Sequence, residues 1–157
     1  MAKHYQGSPD GAGLAVGIVV SRYNEIVTRK LLDGALETLA QHGVRQDDIH
    51  IAWTPGAFEI PQAAKQMARS LAVNAIICLG CVIRGETPHF DHISRSCVDG
   101  VDAVARETMV PMALGVLTTD TLEQAVERAG GSVGNKGSEA ALAALEMANL
   151  YRALRGR

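Results

Sequence analysis

The residues with the most chemistry per unit length lie between Gly80 and Ile93, in the run GCVIRGETPHFDHI. Arg84, Glu86, Thr87, His89, Asp91 and His92 stand there close to Gly80, Gly85 and Pro88. Imidazole titrates near neutral pH, so a histidine in this run could act as a general acid or base. The His89-x-x-His92 spacing, with Glu86 and Asp91 as oxygen donors, could instead hold a metal ion at the start of a helix. Pro88 restricts that geometry, because its ring stiffens the backbone just before His89. Gly85 lets a ligand approach the backbone closely. A polar loop with one satisfied histidine is the plain alternative, and this stretch alone leaves all three open.

Two other motifs suggest chemistry that their context argues against. Cys78-x-x-Cys81 has the redox spacing, but Cys78 lies in the apolar run Ala75–Leu79 and Val82-Ile83 continue an extended pattern. Residues three apart on a strand point to opposite faces, so these thiols read as small buried hydrophobes. Gly131-Ser132-Val133-Gly134-Asn135-Lys136-Gly137-Ser138 is superficially like a phosphate loop. It lies between two expected helices with no preceding strand, which argues against nucleotide hydrolysis. Lys136 at a helix N-terminus opposes the dipole, and a nearby anion would offset that. Arg128 ends a helix, where a cation suits the dipole.

Regular elements must bring such residues together. LAVGIVVS (Leu14–Ser21) reads as a strand, followed by a helix to about His42 with apolar positions at Ile26, Val27, Leu31, Leu32, Ala35, Leu36 and Leu39. Gly43 stops that helix. Ile49–Trp53 is a second strand, and a helix spans about Pro61–Leu71. Ala75–Leu79 is a third strand, with a helix over about Asp91–Thr108. Met112–Leu117 is a fourth, followed by a short helix over Thr121–Ala129 capped through Asp120 or Thr121 with Glu123 or Gln124. Gly130-Gly131 breaks that helix, and the last one runs from about Lys136 to Leu154.

Strand–helix alternation without hairpin signals predicts an α/β fold: a four-stranded parallel sheet with helices on both faces. In such sheets the ligand crevice lies outside the carboxyl ends of the strands. Arg22–Asn24, Gly56–Glu59, Arg84–His89 and Thr118–Asp120 all follow strands, so all four belong on that edge.

Composition is ordinary for one globular domain of 157 residues, with 47% hydrophobic and 20% charged residues. A net charge of −2 gives no basic footprint for nucleic acid or a membrane surface. No apolar run reaches membrane-spanning length and no signal peptide is visible, which predicts a cytoplasmic location. Residues 1–13 lack periodicity and read as an arm preceding a domain over residues 14–157.

Four blocks together resemble the lumazine synthase family: Pro55–Pro61 (PGAFEIP), Gly80–Asp91 (GCVIRGETPHFD), Gly115–Thr119 (GVLTT), and Glu127–Gly130 with Gly134–Gly137. The resemblance covers about residues 14 to 154 in order. It implies a flavodoxin-like three-layer sandwich and the penultimate step of riboflavin biosynthesis, with no metal and no organic cofactor. An amine of 5-amino-6-(D-ribitylamino)uracil would condense with the ketone of 3,4-dihydroxy-2-butanone 4-phosphate to an imine. Phosphate would leave, and the second amine would close the ring with loss of water, giving 6,7-dimethyl-8-ribityllumazine.

The resemblance also implies roles. Tyr23 would stack on the pyrimidine, with Asn24 beside it, and Ala57, Phe58 and Glu59 would hold the ribityl chain. Val82 and Ile83 would flank the pyrimidine, and Gly85, Glu86 and Thr87 would bind phosphate. His89 would transfer protons, Arg128 would bind phosphate, and Lys136 would set the electrostatics beside the substrate. Leu114 stands where many relatives carry an aromatic residue, which keeps an apolar wall but loses stacking.

As partners the resemblance implies a homo-oligomer with active sites between adjacent subunits. The unit would be a pentamer, extended in some relatives to a 60-subunit icosahedral shell, and riboflavin synthase would be a further partner. The short junction Gly130–Gly137 favours the shell by analogy. The arm of residues 1–13 could add an edge strand to a neighbour's sheet. The last helix is apolar on more than one face, at Ala141, Leu142, Leu145, Met147, Ala148, Leu150 and Leu154, which also suits an oligomer. A non-catalytic flavin- or lumazine-binding protein, or a purely shell-forming one, is the alternative.

Overall fold

The computed structural model describes residues 1–156. Four parallel strands form one sheet in the order β2-β1-β3-β4, with β1 at Val16–Ser21, β2 at Ile49–Thr54, β3 at Ala75–Ile83 and β4 at Met112–Thr119. The two central strands are nearly all apolar because both of their faces are covered. Val16, Ile18, Val20, Ala75, Ile77, Leu79 and Cys81 face one core. Val19, Ile76 and Cys78 face the other. Cys78 and Cys81 thus lie on opposite faces of one strand, as the two-residue period requires.

The first core is closed by α1 (Glu25–Gln41) and α5 (Lys136–Leu154), which pack on each other. The second is closed by α2 (Ile60–Ser70) and α3 (His89–Thr108). Each fully buried Leu, Ile or Val contributes about 1.5–3 kcal/mol. Helix α1 ends where expected, at Gly43 with φ of +90°. Met67 of α2 comes so close to β1 that a Cβ at Gly17 would meet its sulfur at 2.2 Å.

Several expectations need correction. Ile26 does not join the apolar stripe of α1 but is 76% exposed, because it falls on the outer face of the helix with Lys30, Asp33 and Glu37. Val82 and Ile83, read as extended, complete β3, whereas α3 begins at His89, earlier than the expected Asp91. Thr118 and Thr119 belong to β4, paired with Val82 and Ile83. Helix α4 covers only Leu122–Glu127, with Thr121 and Gln124 forming its capping box. The segment after it contains a hairpin, in which β5 (Ala129–Gly131) pairs antiparallel with β6 (Gly134–Asn135).

The end of the arm lies on its own chain. The Asn149 amide donates to the carbonyls of Ser8 and Asp10, and the Gly11 N–H donates to the His42 carbonyl. Residues 1–6 are exposed. So is part of edge strand β2, where Ile51 and Trp53 are 42% and 37% exposed.

Candidate active site

Three strand ends are tied together by hydrogen bonds of the turns that follow them. After β1, the Arg22 N–H donates to Thr54 O at 2.8 Å and the Tyr23 N–H to Pro55 O at 3.1 Å. Asn24 takes the left-handed conformation with φ of 61°, which asparagine tolerates, and its carbonyl accepts the N–H groups of Val27 and Thr28 at the start of α1. Its amide donates to Cys81 O at 2.9 Å, reaching across to β3.

After β2, the Thr54 hydroxyl donates to Gly56 O at 2.9 Å and Glu59 Oε1 accepts the Gly56 N–H at 3.0 Å. These bonds hold a single 3₁₀ turn, Ala57–Glu59, against the start of α2. After β3, only Arg84–Pro88 separate the strand from α3. The N–H groups of Gly85, Glu86 and Thr87 have no acceptor among the described residues.

A cavity of about 660 Å³ opens over these ends. Of the expected site residues it brings together Tyr23, Ala57, Phe58, Glu59, Val82, Ile83, Gly85, Thr87 and His89. Tyr23 and Phe58 are 73% and 52% exposed, leaving two aromatic rings at its rim. Pro55, Gly56, Cys81, Phe90 and Ile93 also line it without having been singled out as site residues. Ile93 was findable, since it lies four residues after His89 on the same helix face. Burial pushes the Cys81 thiol up to about 12, so it lines the cavity as a neutral group and not as a nucleophile.

Five expected residues lie outside that cavity. Asn24 serves the turn, as described, and Glu86 is exposed beyond the lining. Leu114 is half-buried in the middle of β4, level with Cys78 and packed against the α2–α3 core. Arg128 lines a neighbouring depression of about 350 Å³ with Arg84, Phe90, Thr118, Thr119, Asp120 and Gln124, Phe90 being common to both. Its guanidinium donates to Gln124 O at 2.9 Å and lies 3.8 Å from Glu127, which is the helix-end role expected of a cation there.

Lys136 begins α5 and is exposed, and no ion pair among the described residues includes it. Its N–H donates to Arg128 O at 2.8 Å, which joins these two cations through the backbone. Among the described residues no three His, Cys, Asp or Glu side chains come together to hold a metal ion.

Residues 13–152 match the family model described as 6,7-dimethyl-8-ribityllumazine synthase. The chain belongs to that family. It is a lumazine synthase family enzyme, and the step this membership implies is the lumazine-forming condensation of riboflavin biosynthesis. The match takes in the cavity, the depression with Arg128, and the start of α5. No helix of the chain, among the described residues, is long and apolar enough to cross a membrane.

Proposed function

We propose that the 660 Å³ cavity is one half of the site at which the ribityl-bearing diaminopyrimidine meets the phosphate-bearing ketone, the other half coming from a neighbouring subunit. The pyrimidine stacks on Tyr23 beside the Val82-Ile83 end of β3, and flat apolar contact suits a flat heterocycle. The Ala57–Glu59 turn takes the ribityl hydroxyls. One Glu59 oxygen is held by Gly56, which fixes the carboxylate while leaving the second oxygen to accept from a hydroxyl.

The unpaired N–H groups of Gly85, Glu86 and Thr87, beside the start of the 20-residue helix α3, suit a phosphate. An added Cβ at Gly85 would meet no atom beyond its immediate chain neighbours within 4 Å, which leaves the loop open to a ligand. His89 moves protons as the amine adds to the ketone carbonyl and water departs from the carbinolamine. Elimination of inorganic phosphate follows, and the second amine closes the ring with loss of a second water.

The observation that carries the shared-site reading is that Arg128 lines not the His89 cavity of its own chain but a neighbouring depression, which shares only Phe90 with it. Arg128, Lys136 and Leu114 then serve the cavity of an adjacent subunit in a ring of five. Exposed Ile51 and Trp53 on edge strand β2 and the exposed residues 1–6 supply a strand edge and a segment to cover it. Twelve such rings in a shell is the larger assembly we favour. A cytoplasmic location and riboflavin synthase, as consumer of the product, complete the proposal.

Subunit complementation tests the reading. His89→Ala and Arg128→Ala proteins are unfolded together, refolded as a mixture, and supplied with both substrates while lumazine absorbance is followed. Mixed rings should regain activity above either variant alone, because some interfaces then carry both native residues. Absence of any gain in mixed oligomers would show that the two residues do not meet at one interface. Absence of lumazine from the unmodified protein would instead favour the non-catalytic flavin binder.

A further inference from the structure

We propose that Arg84 is a positioning residue that sets the Gly85–Thr87 loop and the first turn of α3, an inference that rests on the phosphate-loop reading given above. Arg84 is the first residue after β3, and its N–H donates to Thr119 O at 2.8 Å, extending the pairing with β4. Its side chain lines the 350 Å³ depression and not the 660 Å³ cavity. It therefore lies beside the His89 cavity of its own chain and not in its wall.

There it meets three groups. Nε donates to Asp120 Oδ1 at 2.7 Å, Nη1 lies 3.7 Å from Asp91 Oδ1, and the guanidinium sits 4.5 Å from the centre of the Phe90 ring. Phe90 and Asp91 directly follow His89, while Gly85 directly follows Arg84. One planar cation thus holds both ends of the span that contains the loop and the proposed proton-transfer histidine.

The loop has little else to fix it. Its three N–H groups have no acceptor among the described residues, and Gly85 has open space where a Cβ would stand. The anchor is firmer: the Asp120 N–H donates to Gln124 Oε1 at 2.8 Å, and Gln124 is part of the capping box of α4. Arg128 closes that same helix and lines the same depression. A guanidinium can hydrogen-bond through Nε while stacking on a ring, whereas a lysine ammonium supplies only a point charge. Ion pairs this exposed add little to stability, so the arrangement matters for geometry first.

The test compares unmodified enzyme with Arg84→Gln, Arg84→Lys and Asp120→Asn. Michaelis constants for both substrates are measured, with inorganic phosphate as a competitor of the ketone and sedimentation as a check on assembly. Misplacing a binding group by about 1 Å can cost up to about 100-fold, and a half-exposed anchor should account for about tenfold of that. The expected result is phosphate inhibition and ketone binding weakened about tenfold in Arg84→Gln, with the pyrimidine constant within about twofold. Arg84→Lys should restore only part of the loss, since it cannot stack and bond at once. Asp120→Asn should match Arg84→Gln from the other side of the pair, and remains informative if Arg84→Gln does not fold.

If phosphate competes equally well in the unmodified enzyme and in the variants, Arg84 is not a positioning residue, although the loop reading stands. An equal loss for both substrates in an intact oligomer also overturns the proposal. If phosphate does not compete with the ketone even in the unmodified enzyme, the loop reading itself fails and the proposal with it.

Discussion

His89 begins α3 on the wall of the cavity, and amine–ketone condensation asks it for proton transfer and not for nucleophilic attack. Positioned acid–base help contributes typically ~10²–10⁴-fold, whereas holding two reactants in an attack geometry supplies ~7–11 kcal/mol. His89→Ala should therefore slow turnover by about 10²–10⁴-fold and leave lumazine formation measurable above the uncatalysed rate. A folded variant with no activity above background would show that weighting to be wrong. The thiols allow a second expectation. Burial pushes Cys97 up to about 11 and Cys81 up to about 12 from the ordinary 9.0, and raises Cys78 as well. An acid whose folded value is raised stabilises the fold fully below its unfolded value and loses that contribution as pH climbs through the folded one. Denaturant midpoints should thus fall from about pH 9 to about pH 12, and replacing Cys97 by Ala should flatten the fall. A midpoint independent of pH over that window would rule this out. At this scale the family resemblance had singled out Tyr23, Glu59 and His89, and all three line one cavity. The sequence was least readable for Asn24, whose amide is committed to Cys81 O by a long-range contact that local pattern does not encode.

The start of α5 shows how an element is fastened to hold Lys136 and Arg128. Asn135 caps it by accepting the N–H groups of Gly137 and Ser138, and its amide donates to Lys30 O on α1 at 3.1 Å. The Ser138 hydroxyl donates to Gly34 O at 3.1 Å. Such close approach needs glycine on both helices: a Cβ at Gly137 would lie 2.0 Å from Leu31 O, and one at Gly34 would meet the Asn135 side chain at 2.4 Å. Gly137→Ala should accordingly cost about 1–3 kcal/mol through overpacking, read as a lower denaturant midpoint. Asn135→Ala should cost about 1 kcal/mol or more through loss of the cap. Unchanged midpoints in both would mean that α5 is not locked to α1 in this way. The Gly-Asn-Lys-Gly run that resembled a phosphate loop is thus explained locally as a cap between closely packed helices. The strands and long helices were legible because their apolar periods run for several residues. The β5–β6 hairpin was not, because strands of three and two residues carry no period. The loop after β4 was overestimated because Thr118 and Thr119 pair as strand with Val82 and Ile83 despite their polar composition.

At the scale of the whole molecule, the parallel sheet and its two helical layers follow from strand–helix alternation, whereas strand order and the unequal covering of the edges depend on long-range packing. The proposed assembly can be checked by sedimentation and light scattering near neutral pH. A shell-sized particle is the expected outcome, a pentamer at every concentration would remove the shell alone, and an active monomer would remove both. Deleting residues 1–6 should loosen the assembly while leaving each chain folded, because those residues are exposed on their own chain. Unaltered particles after deletion would count against the arm. Edge strand β2 also offers a way to watch these events. The single tryptophan of the chain, Trp53, stands on it 37% exposed with the Arg29 guanidinium 5.0 Å from its ring centre. Indole emission moves to shorter wavelength when water is displaced, so unlabelled protein carries its own optical signal for the covering of that edge. Diluting the assembly and following the colour of its fluorescence would report how fast subunits part and rejoin.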